Sequence, residues 1–566
     1  VSSRSSKGRR LRRQRQSRLL AKGGRDTNRK HLKYCGWSQH DRRGLPDGIA
    51  PPDGQVIAYL NRLNPAISRP YLKAIKNSVF RLAGPTDLYK HLDKYDRKDF
   101  VVPKKYEAHF QLALDEWREE IISRGAVGSD IFVEDLEGVS IQGSTHPGRL
   151  WRRRNYRTKA EAAPLATLVA RSRLGMMLSG LPTRDLPVAV GGRGKLTTST
   201  DGPPTQQKPG RMIAMPETDD VILLGLAAQP LTRFMMENDD RTALGKTFLK
   251  GGSANFVEAF DGFDRYLCDD LASFDASVNT TCQRMVFTWL RGWITNDGPE
   301  WDEYWEYCAR SMRESDLCMP DGHRFRRYTG SCTGNPFNSL VQSIIRVCSS
   351  LAVLESIRPG TIRARDRQWK INALGDDQVL ALRGELANVV DLDRFSHRLL
   401  EGFGFLVAKN KSFQTRTVHS KNYETPDGVK YLGKVFVDGL AGRPTEETIL
   451  RLAFPEFGKY ELNHSYERAI GNYIDAATNP QTRFLLDGLM NYLEKKNAKS
   501  SGIWPDWARK HIFREYTFGL EVSFPFRRFT WEETLELYET NWGNNSQSPW
   551  SLDRARENEW LSNSGS

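Results

Sequence analysis

At 566 residues the chain exceeds the usual domain size several-fold, so it can bury a large core and calls for a multi-lobed architecture rather than one small sheet. Its net charge of +14 favours an anionic partner, while the absence of any apolar run near the ~18 residues of a membrane span argues against a transmembrane segment. Seven cysteines, with no C-x-x-C pair and no histidine at zinc spacing, suit a reducing compartment and argue against a disulfide framework or a zinc site.

Charge is unevenly placed. Residues 1–34 hold thirteen Lys and Arg against one acid, Asp26, and so carry twelve of the fourteen net positive charges. With little apolar content this segment, taken as an arm over 1–44, is expected to be disordered when free and to bind RNA or a partner electrostatically; a targeting tail is the alternative. No secretory apolar stretch follows the basic start. Gly44 to Gly54 reads as a linker or strap, and 55–135 as helical patterns separated by charged turns. Pro147-Gly148, beside Arg149 and Arg152-Arg153-Arg154, could neutralise nucleic-acid phosphates. Gly191 to Gly210, including Gly191-Gly192-Arg193-Gly194-Lys195, is expected to be a mobile basic loop, with phosphate cradling as the alternative.

The run Tyr266 to Cys268 leads into Asp269 and Asp270, with Asp275 five residues after Asp270. A solvated, helix-capping acidic loop is the plain alternative. Val286 to Glu306 is Trp-rich and helical in pattern, and His323 to Tyr328 supplies three arginines. After Gly334, Asn335 suits an N-cap and Pro336 a first turn. Phe337, Leu340, Val341, Ile344, Ile345 and Cys348 then form one apolar helical face, with Asn338 and Gln342 one turn apart on another. Ile371 to Leu374 and Val379 to Leu382 flank Gly375-Asp376-Asp377, the signature of a β-hairpin. Gly-Asp-Asp is also ordinary turn chemistry. Two strands each ending in Asp can nevertheless hold a pair of hard divalent cations, the arrangement that drives phosphoryl transfer. Helical periodicity dominates from Glu446, with Trp504, Trp507, Trp531, Trp542, Trp550 and Trp560 read as core rather than base-stacking residues.

Asp270-x4-Asp275, Thr333-Gly334 with its polar helix, and Gly375-Asp376-Asp377 together resemble palm motifs A, B and C of viral RNA-dependent RNA polymerases. The nearest likeness is to the partitivirus and picobirnavirus type of double-stranded RNA viruses. Thr145-x-Pro147-Gly148 with Lys159 resembles motif G and Lys208-x-x-Arg211 motif F. Lys409-Asn410-Lys411-Ser412 resembles motif D, and Tyr431-Leu432-Gly433, followed by Gly442-Arg443-Pro444 and Phe454-Pro455-Glu456, motif E and its sequel. The resemblance spans about 140–456. It departs from the family in motif B, where Asn338 and Gln342 replace the usual polar pair.

The resemblance implies an α/β right-hand polymerase with an antiparallel palm sheet and a mainly helical thumb. Fingers are expected at 45–260 and as an insertion at 286–324, the palm at 261–285 and 325–445, and the thumb at 446–566. Asp270, Asp376 and Asp377 would bind Mg2+, with Mn2+ as an alternative. Lys208 and Arg211 would contact the triphosphate, and Thr333, Gly334, Asn338, Gln342 and Asp275 the rest of the nucleotide, Asp275 with the amides reading the ribose 2′-OH. Lys411, or its competitor Lys409, would be the general acid. Thr145, Pro147, Gly148 and Lys159 would meet RNA. Implied partners are RNA template and product, ribonucleoside triphosphates and, through the arm, viral capsid protein, in the virion interior and host cytoplasm. Reverse transcriptase and noncatalytic RNA-packaging protein are the rival readings.

Overall fold

The β-favouring runs Trp369–Leu374 and Asp377–Leu382 form the two arms of the expected hairpin in the computed structural model, which describes residues 29–204, 208–456, 458–508, 524–540 and 550–552. In chain order the strands are β1 (Lys33–Trp37), β2 (Gly48–Ala50), β3 (Ser78–Leu82), β4 (Val188–Arg193), β5 (Lys195–Thr198), β6 (Arg211–Met215), β7 (Arg265–Asp270) and β8 (Ser315–Cys318). They continue with β9 (His323–Arg327), β10 (Trp369–Leu374), β11 (Asp377–Leu382), β12 (Phe413–Thr415), β13 (Lys430–Tyr431), β14 (Lys434–Val437) and β15 (Leu440–Gly442). The described residues build sheets of order β10-β11-β7-β12, β1-β9-β8-β4-β6, β2-β3-β5 and β13-β14-β15. Neighbouring strands are antiparallel except β4 and β8, which run parallel.

The β10-β11-β7 sheet is covered on both faces, which explains why its strands read as continuous apolar runs rather than as alternating ones. Leu267, Leu380 and Leu382 on one face join the large core of helices Lys104–Ser123, Thr218–Asn238 and Asn338–Ile357. Tyr266, Cys268, Val379 and Ala381 on the other pack with Phe256, Tyr431, Phe436 and Trp550. Each buried Leu, Val or Phe among them contributes about 1.5–3 kcal/mol, so the sheet is held firmly up to the ends that carry its acids. Trp504 and Trp550 are buried as expected; Trp542 and Trp560 lie outside the described residues.

Several expectations need correction. The helix expected to start at Pro336 begins at Asn338. Asn335 caps a preceding turn instead, its Oδ1 accepting from the Phe337 N–H at 2.9 Å, and Gly334 with φ +91° delays the helical path. The apolar face of that helix is buried as read, but so is its other side, including Ser343, Arg346, Ser349 and Ser350. Among the described residues this one helix passes the length and mean-hydropathy test for crossing a membrane, and 89% of its 18-residue apolar window lies inside the fold. Gly191 to Gly210 is not loop throughout: β4 runs on to Arg193 and β5 spans Lys195–Thr198. Its glycines serve close packing. A Cβ on Gly192 would lie 2.6 Å from Ala83, and one on Gly194 2.4 Å from Phe80.

The helices Gly54–Leu60 and Pro65–Lys76, expected with the 45–260 region, share a core both with Phe80 and Leu249 of that region and with Thr445–Ala453, Leu462–Ala476 and Pro480–Glu494. Asp53 fixes that union. Its carboxylate caps the first helix at the Gln55 N–H (2.8 Å), accepts the Ser465 hydroxyl (2.6 Å) and pairs with Arg468. The disorder expected over 1–44 does not hold from residue 29 onward, where β1 pairs with β9 and Arg29 lies over Phe325. Residues 1–28 are outside the described part.

Candidate active site

The end of the β10-β11-β7 sheet gathers the acids. Antiparallel register puts Asp377, first residue of β11, opposite Asp270, last residue of β7, and Asp376 occupies the turn after β10. Gly375 has φ +61°, a left-handed conformation that glycine adopts without the strain an L side chain would add. Its N–H donates to Ser343 Oγ at 3.0 Å, tying the hairpin tip to the helix Asn338–Ile357. Burial first, then the charges of Asp270 and Asp275, push the Asp376 carboxyl up to about 6. That is the mark of an acidic cluster short of counter-charge.

Two contacts hold the flanking carboxylates. Asp377 Oδ2 accepts the Leu432 N–H at 3.0 Å. Lys411 Nζ lies 2.9 and 2.8 Å from the two oxygens of Asp270, placing an ammonium where a cation would be drawn. Lys409 is exposed, and it is Lys411 that reaches the acids. Among the described residues no three His, Cys, Asp or Glu side chains stand together as a ready metal cage. The donor chemistry still fits a hard divalent cation: Asp270, Asp376 and Asp377 offer carboxylate oxygens at one sheet end, and Asp376 is raised by burial first and then by the charges of Asp270 and Asp275.

Asp275 and Gln342 meet as the sequence suggested. Gln342 Nε2 donates to Asp275 Oδ1 at 2.5 Å and to Ser331 Oγ at 2.6 Å. Burial raises the Asp275 pKa, opposed by that amide and by the charge of Arg211. Asn338 Oδ1 is buried with no hydrogen-bond partner. Thr333 Oγ1 accepts the Ala214 N–H at 3.1 Å, and a Cβ on Gly334 would lie 2.4 Å from the Ala214 carbonyl. Thr333 and Gly334 therefore dock β6, and with it Arg211, beside the acids.

Lys208 and Arg211 are exposed near this end, and their charges act, with those of Lys411 and Lys94, on Lys195. Half-burial first and then these neighbours pull Lys195 down to about 8. Lys195 was read as part of a basic loop with phosphate cradling as the alternative, and Lys94 was not singled out at all. The glycines around Lys195 were a usable signal once their packing role is recognised; Lys94 carried none.

Thr145, Pro147, Gly148 and Lys159 come together with one another rather than with the acids. Lys159 Nζ donates to Thr145 Oγ1 (3.0 Å) and the His146 carbonyl (3.1 Å), and the Pro147 carbonyl accepts from the Thr218 N–H (3.0 Å) and hydroxyl (2.7 Å). Gly148 has φ +99°, and a Cβ there would lie 2.5 Å from Glu217 Cα. The loop is braced on the helix Thr218–Asn238, with Pro147 and Gly148 buried.

Residues 206–469 match the model of the viral RNA-dependent RNA polymerase family, a stretch that contains every acid and the motif B helix just described. No curated protein matches the chain.

Proposed function

We propose that this chain, an RNA-directed RNA polymerase, extends RNA on an RNA template from ribonucleoside triphosphates, with Asp270, Asp376 and Asp377 as ligands of two Mg2+ or Mn2+ ions. The observation that carries the reading is the register that sets Asp377 against Asp270 beside the Asp376 turn. Divalent cations bound there supply a lowered pKa for the attacking 3′-hydroxyl and counter-charge for the departing pyrophosphate. Lys208, Arg211 and Lys195 bind the triphosphate, guanidinium being suited to bidentate phosphate contact. Lys411, within reach of Asp270, delivers a proton to pyrophosphate.

The Asp275–Gln342 pair reads the ribose, whose 2′-OH can both donate to the carboxylate and accept from the amide. Asn338, with its unpartnered oxygen, adds a second polar contact. The braced loop of Thr145, Pro147, Gly148 and Lys159 frames the template path. In this reading the β10-β11-β7-β12 sheet is the palm, the β1-β9-β8-β4-β6 sheet belongs to the fingers, and the helices from Thr445 form the thumb. The motif spacing supports a partitivirus- or picobirnavirus-like enzyme that replicates and transcribes a double-stranded RNA genome inside the virion and in host cytoplasm. Its basic arm would contact RNA or capsid protein.

Competition between ribonucleotides and deoxyribonucleotides on a primed RNA template tests the substrate assignment. The native chain should incorporate ribonucleotides, and Asp275→Ala should raise deoxyribonucleotide use by about tenfold or more, since a site built to bond a hydroxyl discriminates strongly against its absence. An unchanged preference in that variant removes Asp275 from ribose sensing, and deoxyribonucleotide use by the native chain returns the reverse transcriptase reading.

A further inference from the structure

One residue inward from Asp270 and Asp377, the same two strands carry Asp269 and Gln378, which are paired in register. All four members of a polar ring are fully buried here: Asp269 and Gln378 with Arg346 and Ser350 of the helix Asn338–Ile357. Arg346 is ion-paired to Asp269 Oδ2. Gln378 Nε2 donates to Asp269 Oδ1 at 3.0 Å, Ser350 Oγ donates to Gln378 Oε1 at 2.7 Å, and Arg346 Nη1 donates to Ser350 Oγ at 3.2 Å, closing the ring.

A buried ion pair is a poor device for stability, because desolvating both charges offsets most of their attraction. Its best attested use is to specify register. Register matters unusually at this place: a slip of one residue in β7 or in β11 would turn that strand's acid, Asp270 or Asp377, to the opposite face of the sheet. An apolar ring could slide, since Leu267, Leu380 and Leu382 offer the helix interchangeable apolar surface. A carboxylate that needs both Arg346 and Gln378 cannot.

We propose that Arg346, Asp269, Gln378 and Ser350 form a register lock, a set of positioning residues that fixes β7 and β11 relative to the helix and thereby holds the carboxylates of Asp270 and Asp377 at their working separation. The inference rests on the reading of those two acids as cation ligands. Replacing one member alone strands a buried charge and threatens the fold. The informative variant therefore removes both charges: Arg346→Met with Asp269→Leu, for which melting at or above the native temperature is expected.

The measurement is direct Mn2+ binding by electron paramagnetic resonance on the full chain, with kcat and the nucleotide KM determined separately. The lock predicts at least ~10-fold weaker Mn2+ binding and a similar fall in kcat, the size seen when groups supporting metal ligands are removed, with KM nearly unchanged. Arg346→Lys, which keeps a cation on Asp269, should recover part of both. Native Mn2+ affinity and kcat in the folded double variant would overturn the lock while leaving the polymerase reading intact. No Mn2+ binding by the native chain would overturn the ligand reading, and the lock with it.

Discussion

Lys195 makes the electrostatics of the site measurable at the scale of one residue. Half-buried among Lys94, Lys208, Arg211 and Lys411, it is held down to about 8, well below an ordinary lysine. The sign follows from this. Below pH 8 the ammonium is charged and attracts the triphosphate; as pH rises through that value the charge is lost. The nucleotide KM should therefore be flat at neutral pH and climb above pH 8. Lys195→Met should show a raised KM with that inflection gone, whereas an inflection retained in the variant would assign it to another group. Single residues also mark what spacing leaves open. Lys159 and Thr333, singled out for RNA and nucleotide, each make a hydrogen bond within the protein that spacing did not foretell. Spacing can place a residue in a motif, but only the fold shows which backbone group claims its side chain first.

At the scale of elements, Asp53 is where the N-terminal helices depend on the C-terminal ones. Asp53→Ala removes a cap, a hydroxyl acceptor and the partner of the mostly buried Arg468. Breaking such a pair costs about 3–5 kcal/mol, so the thermal melt should shift down sharply, or split if the two ends of the chain part company. A melt within a degree of native would mean that the apolar core alone joins them. This union was invisible in the sequence, because partners over 400 positions apart leave no local periodicity. The hairpin and the apolar face of the helix Asn338–Ile357 were legible for the opposite reason: turn glycine and helical spacing are local rules. The Gly191 to Gly210 strands were misread because a glycine needed for close approach to Ala83 or Phe80 looks, in sequence, like one needed for freedom.

For the whole molecule, the charge distribution separates binding from chemistry. Thirteen basic residues fall within 1–34, but β1 and Arg29 belong to the folded body, so the cut that isolates the arm is after residue 28 rather than 34. Deleting 1–28 should flatten the slope of log RNA affinity against log salt by about 0.7 per lost phosphate contact on single strands. Single-turnover extension at saturating RNA should be spared. An unchanged slope would instead assign the arm to an acidic protein partner.

Asp270 and Asp376, which meet at one sheet end, are the residues proposed to carry template-directed RNA synthesis. That role is tested most directly by incubating the purified chain, and its Asp270→Ala and Asp376→Ala variants, with single-stranded RNA, the four ribonucleotides and Mg2+, and sizing the products. Template-length RNA is expected from the native chain and a loss of at least ~10²-fold in each variant, about 2.7 kcal/mol of transition-state stabilisation, with native melting curves. Near-native synthesis by either folded variant would contradict it.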